Sequence, residues 1–459
     1  MLEPKVWQLT AGAVVVGLTL AAGAVAAAGP WDSGQRRAER QWAAVQSRTG
    51  GAHHDTAAPG APDAAPSAPA VLAAVGVPGT APAGLGKKLG PLLDSPALGR
   101  TRTASVVDVA TGKELYGKSA GTPMTPASTV KIAIMVAALS ALGPDHRIAT
   151  TVVAARDSRA VTLVGGGDAT LDATGLRALA DDTARALRDR GVTTVKVGYD
   201  VSLYSGPRLH PIGPNDNIAP VTALMSGQGR LDKSTRGPAP RSGDPAGDAA
   251  DAFAGLLRDR GIKTSAASAP HRPANGSKPV ARTYSRPLAA LVERALTDSD
   301  NDTAEALARQ TAIAAGEPAS FAGAERAVTA RLKKLKLPLG GARFADGSGL
   351  DRKDRASAAL LTALLARAAD PARPELRSVL TGLPVAGFSG TLQSRYADAA
   401  PATGLVRAKT GTLTGVNTLA GTVVDTRGRL LAFAFMAGAT PAPDAAQAAL
   451  DRLSAALVP

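Results

Sequence analysis

Three short strings in this chain of 459 residues combine side chains that can cleave an amide without a histidine: Ser128-Thr129-Val130-Lys131, Ser299-Asp300-Asn301 and Lys409-Thr410-Gly411. The chemistry they suit is acyl transfer, in which a serine hydroxyl attacks a carbonyl and a neutral lysine takes the hydroxyl proton. Ser128 and Lys131 stand three residues apart, a spacing that sets both on one face of a helix. For Lys131 to lose its own proton, its pKa must be depressed by burial or by a nearby cation, and Lys409 is the obvious cation. Ser299 could relay a proton to a leaving amine, and Asn301 could orient both a substrate amide and Lys131. Each string alone has a plainer reading: a solvated helix turn or N-cap, a helix C-cap, and an edge strand blunted by Lys and Thr. Their joint occurrence in this order is what points to a site.

The surrounding sequence supplies elements to position them. Ala104 to Val109 reads as a strand, Thr111-Gly112 as a turn and Glu114 to Tyr116 as the returning strand of a β-hairpin. A loop then delivers Ser128, after which Val130, Ile132, Ala133, Met135 and Leu139 give a buried helical face ending at Leu142-Gly143-Pro144. Ser128 is thus expected at a helix N-terminus, where the dipole favours an alkoxide and its backbone N–H can face an oxyanion. Leu288, Leu291, Val292 and Leu296 predict a helix leading into Ser299. The third string begins a strand that precedes two more, Thr418 to Val424 and Leu430 to Met436, in an antiparallel pattern. On that strand Lys409, Thr410 and Thr412 would hold a free substrate carboxylate. Gly411 would leave room for substrate backbone at the strand edge, and Thr412 would offer the second oxyanion N–H.

Composition narrows the function. Lys plus Arg number 52 against 38 for Asp plus Glu, a formal charge of +14 that suits an anionic surface such as nucleic acid, lipid or cell wall. Aromatic residues are only 3% and no basic stretch is interleaved with stacking rings, so no nucleic-acid partner is expected. Cysteine is absent, which excludes disulfides and thiol catalysis. His53, His54, His146, His210 and His271 show no ligand spacing, so neither a metal nor a cofactor is expected. Gly165-Gly166-Gly167 lacks the Lys-Ser/Thr of a phosphate loop and reads as a tight turn.

The N-terminus speaks to location. No charge falls between Lys5 and Asp32, and Leu9 to Gly29 is almost wholly apolar, so residues 1–31 read as an export signal peptide or a membrane anchor. Small-residue cleavage sites at Ala24 to Ala28, and Arg36, Arg37 and Arg40 behind the apolar span, favour cleavage over anchoring. Residues 32–88 form an Ala/Pro/Gly-rich flexible linker. An extracytoplasmic protein, secreted or held at the cell surface, is expected, with membrane association through this segment if it is retained.

Further strings accompany the first three: Leu163-Val-Gly-Gly-Gly-Asp-Ala-Thr-Leu171, Ser299-Asp-Asn-x-x-Ala-Glu305, Asp346-Gly-Ser-Gly-Leu350, Leu383-Pro-Val-Ala-Gly387 and Ser389-Gly-Thr-Leu392. With Pro126 to Lys131 they make the chain, from about Leu89 to Ala446, resemble the D-alanyl-D-alanine carboxypeptidase/endopeptidase family, the class C low-molecular-mass penicillin-binding proteins. Val130, where the family frequently has Met, is one departure. Between Lys131 and Ser299 lie 167 residues, more than one helical lobe needs, and similar proteins carry extra domains there. The resemblance implies an α+β fold: a serine β-lactamase/penicillin-binding transpeptidase-like domain, an antiparallel sheet with helices on its faces, carrying an inserted α/β-containing module. The catalytic domain is expected at 89–152 and 283–459 and the insert at 153–282. Within the insert, strands near 160–164 and 194–197 and helices near 176–190 and 248–260 are predicted, and Lys233 to Gly247 reads as a surface excursion. The implied activity is hydrolysis of peptidoglycan stem peptides through an acyl-enzyme on Ser128, with β-lactams as inhibitors at the same serine. A serine β-lactamase and a non-catalytic cell-wall binding protein are the alternatives.

Overall fold

Leu85, Leu89 and Leu93 recur every fourth residue, and they form the buried stripe of helix α1, Leu85–Leu93, in the computed structural model, which describes residues 84–458 except 233, 267–269 and 426. The end of the segment expected to be linker is therefore helical, because that stripe has an apolar surface to cover. Residues 1–83, with the expected signal or anchor, lie outside the described residues. The described residues belong to one compact unit, Pro69–Pro459, and among them no helix is long and apolar enough to cross a membrane.

Strands β1, Thr101–Asp108, and β2, Glu114–Lys118, form the expected hairpin. Its turn is closed by Asp108 Oδ1, which accepts from the N–H groups of Ala110 and Thr111, and by Gly112 at a φ of 69°. A 3₁₀ turn, Ala127–Val130, leads into α2, Lys131–Leu142. From Ile132 to Leu139 every residue of α2 is apolar, so the helix has no face for water and is buried all round. Lys131, its first residue, is carried inside with it.

The chain then builds a second sheet from β3, Ala149–Ala154, β4, Ala160–Val164, β5, Thr194–Asp200, β6, Lys263–Ala266, and β7, Lys278–Tyr284, in the order β6-β5-β4-β3-β7. The β4–β5 and β5–β6 pairs are parallel and the others antiparallel. Two helices supply the crossovers, α3, Ala173–Arg188, and α4, Pro245–Asp259, and their apolar stripes (Leu176, Leu179 and Leu187; Phe253 and Leu257) share a core with Val161, Leu163 and Val197. The sheet reaches from Ala149 to Tyr284 rather than from 153 to 282, because β3 and β7 pair with each other along their length.

Helices α5, Leu288–Thr297, α6, Asn301–Ala314, α7, Phe321–Lys334, and α8, Ala358–Ala368, pack around α2. Strands β8, Arg407–Leu413, β9, Val416–Val424, and β10, Leu430–Gly438, and helix α9, Pro443–Ala455, close the chain. The main sheet is antiparallel throughout, in the order β2-β1-β10-β9-β8, with β8 at its edge. Alternation along β10 serves two cores: Phe433 and Phe435 join the residues of α1 and α9, while Ala432, Ala434 and Met436 join those of α2 and α5–α8. Each such buried phenylalanine contributes about 1.5–3 kcal/mol.

Candidate active site

Ser128 lies in the 3₁₀ turn just ahead of α2, and its Oγ is 2.9 Å from Lys131 Nζ. Lys131 Nζ also meets Asn301 Oδ1 at 2.7 Å and the Ser348 carbonyl. Three acceptors around one nitrogen fix its position. Were Nζ neutral, its two N–H groups would serve Asn301 and Ser348, leaving the lone pair aimed at the Ser128 hydroxyl. Burial lowers the Lys131 pKa to about 8 against the opposing charges of Asp346, Asp300 and Glu305. The leading cause is burial at the head of α2, the first of the two causes that the sequence left open. Repulsion between the two ammonium groups falls on Lys409, which burial first, then Lys131 and Arg395, hold well below the usual lysine range.

The turn before Ser128 is held from several sides. Ala127 takes a φ of 48°, a left-handed conformation that costs a non-glycine residue energy and persists only where neighbours enforce it. The Pro126 carbonyl accepts from the hydroxyls of Thr129 at 2.7 Å and Thr418 at 2.8 Å. Gly411 completes the enclosure: a Cβ there would lie 2.2 Å from Thr418 Oγ1, 2.7 Å from the Pro126 oxygen and 3.1 Å from the Ser128 nitrogen. Expected to admit substrate, this glycine also makes room for the turn that carries Ser128.

Ser299 and Asn301 come from the break between α5 and α6. Ser299 takes a φ of 56°, and Asp300 caps α6 by accepting from the Thr303 N–H at 3.0 Å. Ser128, Ser299, Asn301, Thr410 and Thr412 line one cleft of about 350 Å³. Asn301 holds Lys131 through its Oδ1, and one N–H of its Nδ2 donates to the Asn217 carbonyl at 2.9 Å. Lys409 is fully buried, with its Nζ donating to the Thr410 carbonyl at 2.9 Å, so it lies beneath the strand edge that Thr410 and Thr412 present. Thr410 Oγ1 pairs with Thr391 Oγ1 at 2.8 Å, which ties the Ser389 to Leu392 string to β8.

Sequence reasoning missed the part played by the segment after β5. Its stretch around Arg230 to Arg241, read in part as a surface excursion, forms a wall of the cleft with Arg230, Arg236 and Arg241. Arg230 braces that loop from within, donating to Ser234 Oγ and the Gly237 carbonyl at 2.8 Å each. The segment is pinned to the start of α6 by Gln228 on Asp300 at 2.6 Å and by Arg241 on Asp302 at 2.9 Å. Gly, Pro and charge suit a braced wall as well as a solvated loop, so composition alone could not separate the two.

Behind Lys131 lies a buried polar cluster, also unforeseen. Glu305 Oε1 accepts from the N–H groups of Gly347 at 2.9 Å and Ser348 at 3.0 Å, and its Oε2 pairs with Arg309 at 2.7 Å. Asp346 gathers the N–H groups of Gly349, Leu350 and Asp351 and the Ser348 hydroxyl, all within 2.6–3.0 Å. Gly349, at a φ of 84°, lets this loop pass the Ala127 carbonyl. Burial and the neighbouring Asp346 charge push Asp354 up to about 11, so it keeps its proton. Burial alone would raise Asp346 too, but hydrogen bonds from His210 and Ser348 outweigh it and hold Asp346 below the usual carboxylate range. Donor atoms of His210, Glu305 and Asp346 lie within 4.8 Å of one another, yet N–H groups and the Arg309 guanidinium already occupy the carboxylate oxygens.

A serine beside a buried lysine, at the edge of an antiparallel sheet backed by a helix with an unbroken apolar run, defines a penicillin-binding type of serine acyl-transfer fold. The sequence matches the D-Ala-D-Ala carboxypeptidase 3 (S13) family over residues 85–238 and 229–457, and the chain belongs to that family. It is 38% identical over 425 residues to the carboxypeptidase DacB of Mycolicibacterium smegmatis, covering 88% of this chain and 91% of that one. It is 31% identical over 455 residues to the D-alanyl-D-alanine carboxypeptidase of an Actinomadura species, covering 78% and 82%. Among solved structures it is similar to penicillin-binding protein 4 (DacB) from Haemophilus influenzae, with a TM-score of 0.66 and 21% identity over 81% of this chain and 97% of that one. That likeness carries the α+β fold.

Proposed function

We propose that this chain is a serine D-Ala-D-Ala carboxypeptidase and DD-endopeptidase of peptidoglycan stem peptides, and that β-lactams acylate the same serine. The observation that supports this best is Lys131 Nζ, desolvated and 2.9 Å from Ser128 Oγ. Neutral Lys131 takes the Ser128 proton as Oγ attacks the carbonyl of the penultimate D-Ala. The oxyanion is held by the backbone N–H groups of Ser128 and Thr412. As the C–N bond breaks, Ser299 gives its proton to the departing amine and recovers one from Lys131; neutral again, Lys131 takes a proton from the water that attacks the ester and hands it to Ser128 Oγ as the acyl–oxygen bond breaks. Thr410 and Thr412 receive the terminal carboxylate at the edge of β8, beneath which Lys409 lies buried. When the amine belongs to a second stem peptide, the same steps cut a crosslink.

A carboxypeptidase family that acts on the cell wall works outside the cytoplasm, and residues 1–31 are read as the export signal or anchor that takes it there. Incubating the purified protein with muropeptides and following them by mass spectrometry tests the activity. Pentapeptides should lose the terminal D-Ala and crosslinked dimers should separate, in neither case with Ser128→Ala. Muropeptides left intact by the wild type would refute the reading.

A further inference from the structure

His210 belongs to the segment between β5 and α4, yet its side chain is 1% exposed and lies among the groups behind Lys131. Its Nε2 is 2.8 Å from Asp346 Oδ2 and 3.8 Å from Glu305 Oε1. Nδ1 accepts from the Ile212 N–H at 3.3 Å, an arrangement that leaves Nε2 carrying the hydrogen toward Asp346. The ring stands edge-on to Phe321 at 5.5 Å, and Arg309 covers the other side of that environment, 4.2 Å from the Phe321 ring.

The consequence runs through Asp346. Its oxygens collect the backbone N–H groups of residues 349–351 and the Ser348 hydroxyl, so the orientation of this carboxylate sets the course of the loop. The Ser348 carbonyl on that loop is one of the three acceptors holding Lys131 Nζ. A carboxylate so placed could still rotate about its last torsion, and the Nε2–H of His210 is the side-chain donor that arrives from outside the loop. We infer that His210 is a positioning residue for the acylation step: its Nε2–H fixes Asp346, and Asp346 fixes the Ser348 carbonyl that aims Lys131 at Ser128. The inserted segment thereby takes part in setting the base, in addition to walling the cleft.

This inference rests on Ser128 and Lys131 acting as nucleophile and base. Single-turnover acylation by a fluorescent penicillin, measured across concentrations, separates non-covalent binding from the covalent step. His210→Phe keeps a ring against Phe321 and removes the donor; its covalent rate constant should fall about tenfold, as expected for losing one aligning hydrogen bond to an anion, with binding unchanged within about twofold. His210→Gln, which returns an N–H near the Nε2 position, should recover most of that loss. A His210→Phe protein that acylates within about twofold of wild type overturns the inference, as does a His210→Gln protein no faster than His210→Phe. Wild type that takes no label at all would instead refute the functional reading, so the two failures are distinct.

Discussion

Gly411→Ala tests how tightly the nucleophile's turn is enclosed. The backbone at Gly411 is ordinary strand, so the substitution adds volume without demanding a left-handed conformation. The new methyl would meet Thr418 Oγ1 at 2.2 Å and the Pro126 oxygen at 2.7 Å, and these two atoms are hydrogen-bonded to each other at 2.8 Å, so neither can move alone. Overpacking of this kind costs about 1–3 kcal/mol. Relief must come from shifting the 126–128 turn away from β8, and a displacement of about 1 Å between nucleophile and base slows a reaction on the order of 100-fold. Urea unfolding and stopped-flow acylation by a fluorescent penicillin give the two quantities. Adding Thr418→Ala removes the nearest contact but not the Pro126 oxygen, and should restore part of both. A Gly411→Ala protein with unchanged stability that acylates within about threefold of wild type would refute this reasoning and return the glycine to a role in admitting substrate.

Two further outcomes follow from the charges. With Lys131 lowered to about 8, its neutral, base-competent form is about one molecule in ten at pH 7 and about nine in ten at pH 9. The acylation rate constant should therefore rise about tenfold between those values and level off above them, whereas a flat profile from pH 6 to 9 would contradict the assignment of Lys131 as base. Glu305→Ala leaves the Arg309 guanidinium, 2% exposed, without its carboxylate; breaking such a buried pair should cost about 3–5 kcal/mol in urea unfolding, and a loss below about 1 kcal/mol would show that the cluster adds little.

The reacting residues were legible in sequence because each string carries its chemistry locally, and the hairpin, α2 and the last three strands because their apolar periods and turn residues are local too. The unbroken apolar run after Lys131 favours burial over the Lys409 charge as the cause of its lowered pKa. The supporting groups offered no such signal. His210 meets Asp346 across 136 positions and Asn217 meets Asn301 across 84, contacts that exist only after the segment following β5 folds against α6. Gly411 looked like a substrate-facing glycine because the atoms that require it, on Pro126, Ser128 and Thr418, are brought together by the packing of α2's leading turn on β8 and β9.

Peptide mapping by mass spectrometry after brief exposure to penicillin tests the acyl-enzyme on Ser128 most directly. One penicilloyl group on the peptide that carries Ser128, missing from Ser128→Ala, is the predicted result. An adduct on Ser299 or on any other side chain, or wild-type protein that remains unmodified, would contradict it.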